Sequence, residues 1–214
     1  MRACILSSYP RSGNTWARFV VATAVLGRRP SSAELDRLTP DAHEPVPPPQ
    51  DRLQSPGLVL KSHFTSGNLA KYLKALAEAV AGRVQFDEVR VVHIVRNPFD
   101  VARSVARFYE TEDADFPGFF REFVEPAPKC PAAFVKWGFS SWHGSGVAWL
   151  AQARAAAPPV AVVRYEDLLA RPETEFARIF ETFGVEARIP LAEALDLCAP
   201  SALRQAEDRE VAEN

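Results

Sequence analysis

The sequence predicts an α/β protein, a three-layer sandwich around a central parallel sheet. Four short runs, "ACILSS", "GLVLKSH", "EVRVVHIVRN" and "PVAVVRYED", are rich in Val, Ile and Leu, as strands buried on both faces are. Most are separated by stretches with helical spacing, the alternation that builds parallel sheets. The 214 residues suit one sizeable core, and residues 1–214 read as a single domain. A composition of 47% hydrophobic and 24% charged residues is globular, and a net charge of -2 gives no reason to expect nucleic acid or a membrane surface as partner.

Each element has a local cause. The first strand, Ala3 to Leu6, runs into a turn over Tyr9 to Thr15. A helix follows, with Trp16, Phe19, Val20, Thr23 and Ala24 at helical spacing and Gly27 as its stop. "RRPSSAELDRLTPDAHEPVPPPQDRLQSPG" is Pro-rich and reads as a surface excursion, not a domain linker. "NLAKYLKALAEAVAG" is an amphipathic helix ending at Gly82. "NPFDVARSVARFYE" opens a helix with Asn97 as N-cap, Pro98 at the first position and Asp100 three after the cap. Residues 111–134, "TEDADFPGFFREFVEPAPKCPAAF", are irregular and aromatic, as a lid or acceptor-site insert would be. "RPETEFARIFETFG" is a helix stopped by Gly184. Cys4, Cys130 and Cys198 are scattered and odd in number, so neither a disulfide framework nor a zinc spacing follows. The first strand begins almost at Met1 and no apolar run reaches the length of a membrane span. The expectation is a cytoplasmic protein.

The turn "SSYPRSGNTW" carries the first chemistry. A strand-to-helix turn aims backbone N–H groups and the positive helix end at one point. Pro10 stiffens it, Gly13 permits close approach or a positive φ, Arg11 adds a permanent cation, and Ser12, Asn14 and Thr15 add short polar groups. Together they suit an anion, above all a phosphate; an ordinary turn with a surface Arg is the plain alternative. The Walker pattern is absent, and with it the usual Mg²⁺ ligand, so the site is expected to need no metal.

Ligands of open α/β sheets sit beyond the carboxyl ends of the strands. The second run delivers Lys61 and His63 there, the third delivers Arg96 with Ser104 two turns into its helix, and the fourth delivers Tyr165, Glu166 and Asp167. Two Arg-bearing sites at neighbouring strand ends imply a ligand with two phosphate groups, with Trp16 and Tyr165 in reach of a base or ribose. His93 reads as core, His43 as exposed and His143 as a surface turn or an acceptor-pocket residue. Arg103 and Arg107 read as a solvated helix face. Glu166 and Asp167, adjacent in a strand, would point to opposite faces and serve as caps or Arg partners.

"SYPRSGNTW", "LKSH", "VRNPFDVARS" and "RYEDLLARPETEFARIFETFG" together, and in this order, closely resemble the cytosolic sulfotransferases that use 3'-phosphoadenosine 5'-phosphosulfate (PAPS). The first stretch is most like that of bacterial enzymes that sulfate natural products. The resemblance implies the P-loop-NTPase-like sulfotransferase fold, PAPS as donor, adenosine 3',5'-bisphosphate (PAP) as product, and a small-molecule hydroxyl as acceptor. It also implies that Arg11 to Trp16 hold the 5'-phosphosulfate and that Arg96 and Ser104 hold the 3'-phosphate. "SWHGSGVAW" loosely resembles the family's Gly-Ser-Trp segment. "PSALRQ" loosely resembles its Thr-Ser-Phe-Lys segment, which would put Ser201 and Leu203 near the adenine.

The chemistry agrees with this resemblance. Sulfuryl transfer is an in-line displacement, with negative charge gathering on the leaving oxygen, and it needs a base, a cation and a rigidly held donor. His63 suits the base, with an ordinary pKa of ~6.5 that leaves it largely neutral. Arg11 suits the cation at the bridging oxygen, where the family often has Lys, and Lys61 assists at the sulfuryl oxygens. Arg11 acts by electrostatics, since a guanidinium does not usefully give up a proton. One departure stands out: the family's C-terminal Arg-Lys-Gly loop has no counterpart in "EDREVAEN". The loop is truncated, or Arg96 and Ser104 carry the 3'-phosphate alone, or another Arg substitutes. Two rival readings follow, a catalytically silent nucleotide-binding relative and a nucleotide kinase using ATP and Mg²⁺. Acceptor identity is not readable from the sequence, and a homodimer is left open.

Overall fold

A computed structural model describes residues 2–43, 58–79, 87–108, 120, 141–155, 159–199 and 203. Four parallel strands form one sheet in the order β2-β1-β3-β4. They are β1 (Arg2–Ser8), β2 (Leu58–Ser62), β3 (Glu88–Val95) and β4 (Val160–Arg164). All four apolar runs are strands; β1 extends one residue beyond its run to Arg2, and the other three are trimmed at their polar ends. The helices are α1 (Asn14–Leu26), α2 (Ser32–Leu38), α3 (Ser66–Ala79), α4 (Pro98–Phe108), α5 (Trp142–Ala155), α6 (Tyr165–Ala170), α7 (Pro172–Phe183) and α8 (Leu191–Leu197).

The strand period of two splits the core into two layers. Cys4 and Leu6 of β1 face one way, with Val92, Ile94 and Val163, against Phe19 and Val20 of α1 and Phe176, Ile179 and Phe183 of α7. Ala3 and Ile5 face the other way, with Leu60 and Val91, against Leu69 and Leu76 of α3 and Trp149 of α5. Helices on both faces of a parallel sheet make the three layers the sequence predicts.

The chain leaves β1 for β2 on one side and then crosses to β3 on the other. The end of β1 is therefore the point where strand order reverses, the place where open α/β sheets bind ligands. Register brings the strand ends level, with Ser7 opposite Ser62 and His93, and Val95 opposite Arg164.

Local stops and starts follow the expected chemistry. Gly27 (φ 76°) and Gly184 (φ 61°) end α1 and α7 in the left-handed conformation that glycine adopts without a Cβ penalty. Asn97 caps α4, its side-chain oxygen accepting from the Phe99 N–H at 2.9 Å, with Pro98 as the first helical residue.

Two expectations need correction. The Pro-rich connection is not simply a surface excursion. Ser31 caps α2 by accepting from the Glu34 N–H at 3.2 Å, Leu35 and Thr39 are buried, and Asp41 bridges to Lys61 of β2. Tyr165, Glu166 and Asp167 are not strand residues but the first turn of α6. Their partners are nonetheless of the expected kind. Glu166 accepts from the Asn97 N–H at 2.8 Å, and Asp167 lies 3.5 Å from Arg171. Gly82, Ser201 and the aromatic insert, Phe120 excepted, lie outside the described residues.

Candidate active site

The β1–α1 turn is built from two left-handed residues, Arg11 (φ 65°) and Gly13 (φ 94°). Glycine does this freely. An arginine there carries about 1–2 kcal/mol of strain, which surrounding contacts must hold. One of them is visible: Arg96 Nη1 donates to the Arg11 carbonyl at 3.0 Å. Asn14 ties the turn back to β1, its Nδ2 donating to the Leu6 carbonyl at 3.0 Å and the Ser8 hydroxyl at 3.3 Å. Gly13 is required for space as well as for φ. A Cβ there would stand 2.4 Å from two ring carbons of Tyr165.

Arg96, at the end of β3, is clamped on three sides. Its guanidinium carbon sits 4.5 Å from the Tyr165 ring centre, its Nη1 holds the Arg11 carbonyl, and its own carbonyl accepts from the Trp142 indole at 3.2 Å. Arg11 reaches the same side, its Nε donating to Ser104 Oγ at 3.1 Å. The two anion sites read separately in the sequence thus share one cluster of Arg11, Arg96 and Ser104. Ser12 Oγ and Arg96 Nε are buried with no hydrogen-bond partner among the described residues. A hydroxyl and a guanidinium N–H left in this way fit phosphate oxygens. Asn14 Oδ1 is also unpartnered, and as an acceptor it does not suit an anion.

On the other side of β1 stand Lys61 and His63. His63 Nδ1 lies 2.8 Å from the Ser8 carbonyl oxygen, which can only accept. Nδ1 therefore carries the proton and Nε2 holds the lone pair. Burial pushes the imidazole down to about 4, against the pull of the Ser8 carbonyl, with Lys61 adding to the fall. The imidazole is neutral across the physiological range and less basic than an ordinary histidine. Lys61 Nζ pairs with Asp41 at 2.6 Å. Burial alone would raise the Asp41 carboxyl, but the Lys61 charge and hydrogen bond hold it below the usual carboxylate range.

The remaining predicted residues divide between packing and surface. Thr15 is exposed on the first turn of α1. Trp16 donates to the Cys198 carbonyl at 3.0 Å and sits edge-on to Tyr165 and Phe176, centroids 6.2 and 5.4 Å apart. Leu203 packs against the same core as Trp16. His93 is core as expected, stacked on Trp149 and pushed down to about 3 by burial. Arg103, Arg107 and His143 are exposed.

His43 is a correction. It is half-buried, not exposed, with its Nε2 accepting from the His63 N–H at 2.9 Å and its ring 3.8 Å from that of Phe64. Sequence reading missed Asp41, His43 and Trp142 as site residues. A usable signal existed for the first two: Asp-x-His at 41–43 repeats the spacing of Lys-x-His at 61–63.

The strand-to-helix turn stands at the topological switch point where open α/β sheets bind ligands, with a lysine and a neutral histidine across β1 from it. Residues 2–211 match the sulfotransferase domain family, and the chain belongs to that family. The fold is similar to that of a mouse sulfotransferase complexed with PAP, at TM-score 0.61 and 15% identity over 94% of this chain and 65% of that one. It is similar to an Arabidopsis thaliana putative steroid sulphotransferase at TM-score 0.60 and 20% identity, covering 99% and 75%. It also resembles the sulfotransferase domain of the Synechococcus PCC 7002 olefin synthase at TM-score 0.53 and 19% identity, covering 93% and 77%. The chain thus spans about two thirds of the length of the mouse protein. No helix among the described residues is long and apolar enough to cross a membrane.

Proposed function

We propose that this protein is a PAPS-dependent O-sulfotransferase, a single cytoplasmic domain acting on a small-molecule or natural-product hydroxyl. The observation that carries the reading is the tautomer of His63. With Nδ1–H committed to Ser8, its lone pair lies on Nε2, two residues from Lys61 and across β1 from Arg11, Arg96 and Ser104. When bound, PAPS supplies the sulfuryl group, whose bond to the phosphate oxygen breaks as the acceptor oxygen attacks sulfur.

In this reading the chain's own residues do the rest. Arg96 and Ser104 hold the 3'-phosphate, with Arg11 beside them. Ser12, Gly13, Asn14 and Thr15 shape the turn around the 5'-phosphosulfate, and Trp16 and Tyr165 wall the nucleoside, with Ser201 and Leu203 assigned to the adenine by the family resemblance. Lys61 faces the sulfuryl oxygens. His63 Nε2 takes the hydroxyl proton as the new bond forms. Arg11 also serves the leaving oxygen as a fixed cation. The PAP-bound state of the mouse relative supports the donor assignment.

The test is thermal unfolding with PAP, with ADP–Mg²⁺ and AMP as controls. A ligand that binds only the native state stabilises it by about 2.7 kcal/mol at a hundredfold excess over Kd. PAP alone should do so, followed by EDTA-insensitive transfer from PAPS. A shift with ADP–Mg²⁺ alone would replace this reading with the kinase one. Binding of PAP without any turnover would favour the silent relative.

The pH dependence has a definite sign. His63 must be neutral to act, and its pKa falls from the ordinary 6.5 to about 4. The acid limb of kcat/KM should therefore lie below about pH 5, not near 6.5. Folding stability moves the same way. The unfolded chain takes up the proton first, so stability drops as the pH falls from 6.5 toward about 4. An acid limb at 6.5 would show instead a base that titrates as an ordinary histidine, without the downward push of burial.

A further inference from the structure

Residues 41–43 and 61–63 run side by side. Ala42 N–H donates to the Lys61 carbonyl at 2.9 Å, and Lys61 N–H donates to the Pro40 carbonyl at 3.0 Å. These bonds make one parallel bridge between Asp41 and Lys61, at the outer edge of the sheet. Two residues on, a side chain continues the ladder, as His43 Nε2 accepts from the His63 N–H at 2.9 Å. The Asp41 carboxylate uses both oxygens. Oδ2 accepts from Lys61 Nζ at 2.6 Å, and Oδ1 accepts from the His43 N–H at 3.0 Å. One carboxylate thus touches the lysine of the candidate site directly and reaches its histidine through a single intermediate.

We propose that Asp41 is a positioning residue for the transfer reaction, aiming the Lys61 ammonium with one oxygen and fixing, through His43, the main chain that carries His63 with the other. The inference rests on the reading of Lys61 and His63 given above. A lysine head on a four-carbon stem has many rotamers, and catalysis gains when its position is set before the donor arrives. An ammonium has three protons; Asp41 engages one and leaves two for sulfuryl oxygens. Both partners are about one fifth exposed, 22% and 20%, so the pair is less screened than a surface ion pair. The carboxylate also offsets the Lys61 charge beside His63, which eases proton uptake by the base.

The decisive variant is Asp41→Asn, which keeps the Oδ1 acceptor and the volume and removes the charge. PAP release from PAPS in the presence of para-nitrophenol should slow by about tenfold or more in kcat, with KM for PAPS within about twofold of wild type. The rise in Tm with PAP should be unchanged. On a Lys61→Met background the same substitution should cost less than about twofold more, because Asp41 acts through Lys61. A wild-type kcat in Asp41→Asn overturns the proposal. So does a full further loss on the Lys61→Met background, the mark of a purely structural role.

A second arm needs no turnover. His43→Phe keeps a ring and loses the acceptor, so hydrogen exchange at the His63 amide should quicken by about tenfold. Unchanged exchange overturns the link through His43. If the wild type neither gains stability with PAP nor releases PAP from PAPS, or if His63→Ala and Lys61→Met both run at the wild-type rate, the site reading itself fails and takes this proposal with it. Those results are distinct from an Asp41→Asn enzyme that is simply unimpaired.

Discussion

His63→Ala should lower kcat for sulfuryl transfer by ~10²–10⁴-fold while leaving the PAP-induced rise in Tm intact, since a general base contributes about that factor. The alanine also loses the bond to the Ser8 carbonyl, which costs about 1 kcal/mol of stability. His63→Asn separates the two effects. An asparagine amide places an N–H donor near the position of Nδ1 and has no basic nitrogen. It should recover the stability and none of the rate. Turnover kept in both variants would show that the acceptor proton leaves by another route.

Gly13→Ala should be the most damaging small change in the turn. Two costs act together. A φ of 94° is a region L-residues rarely adopt, worth about 1–2 kcal/mol, and the new Cβ would stand 2.4 Å from Tyr165 Cδ2 and Cε2. The Tyr165 ring has little room to retreat, with Trp16 edge-on at 6.2 Å and the Arg96 guanidinium at 4.5 Å. Overpacking of this kind adds about 1–3 kcal/mol. The expected total is ~2–5 kcal/mol, read as a lower denaturant midpoint, together with loss of the PAP response because Arg96 moves with the ring. A variant with wild-type midpoint and wild-type PAP response would show that the turn is not the anion cradle.

Much of this was legible in the chain because it is local. Runs such as "ACILSS" and "EVRVVHIVRN" are apolar because both faces of β1 and β3 are covered, and Gly27 and Gly184 mark stops that only a left-handed residue provides. The strand-end rule then sufficed to gather Arg11, Lys61, His63 and Arg96. What escaped was either masked by composition or non-local. The proline content of residues 28–57 masks Ser31-x-x-Glu34, a sound helix start. Asp41 and His43 act across a bridge spanning twenty residues, which no window of sequence periodicity detects. Tyr165 to Asp167 follow β4 directly, with no Gly, Pro or other turn residue between strand and helix, so the switch had no local marker short of Arg96, which lies over the Tyr165 ring.

The bridge at Lys61 has a consequence for how copies of this chain behave toward each other. β2 is an outer strand, and an uncovered outer strand is a template on which another chain can zip. Pro40 to Ala42 occupy that template at its carboxyl half, with a charged pair and a proline on the seam. The segment proposed to aim Lys61 therefore also covers part of this strand edge, and loosening it should show as turbidity before it shows as unfolding.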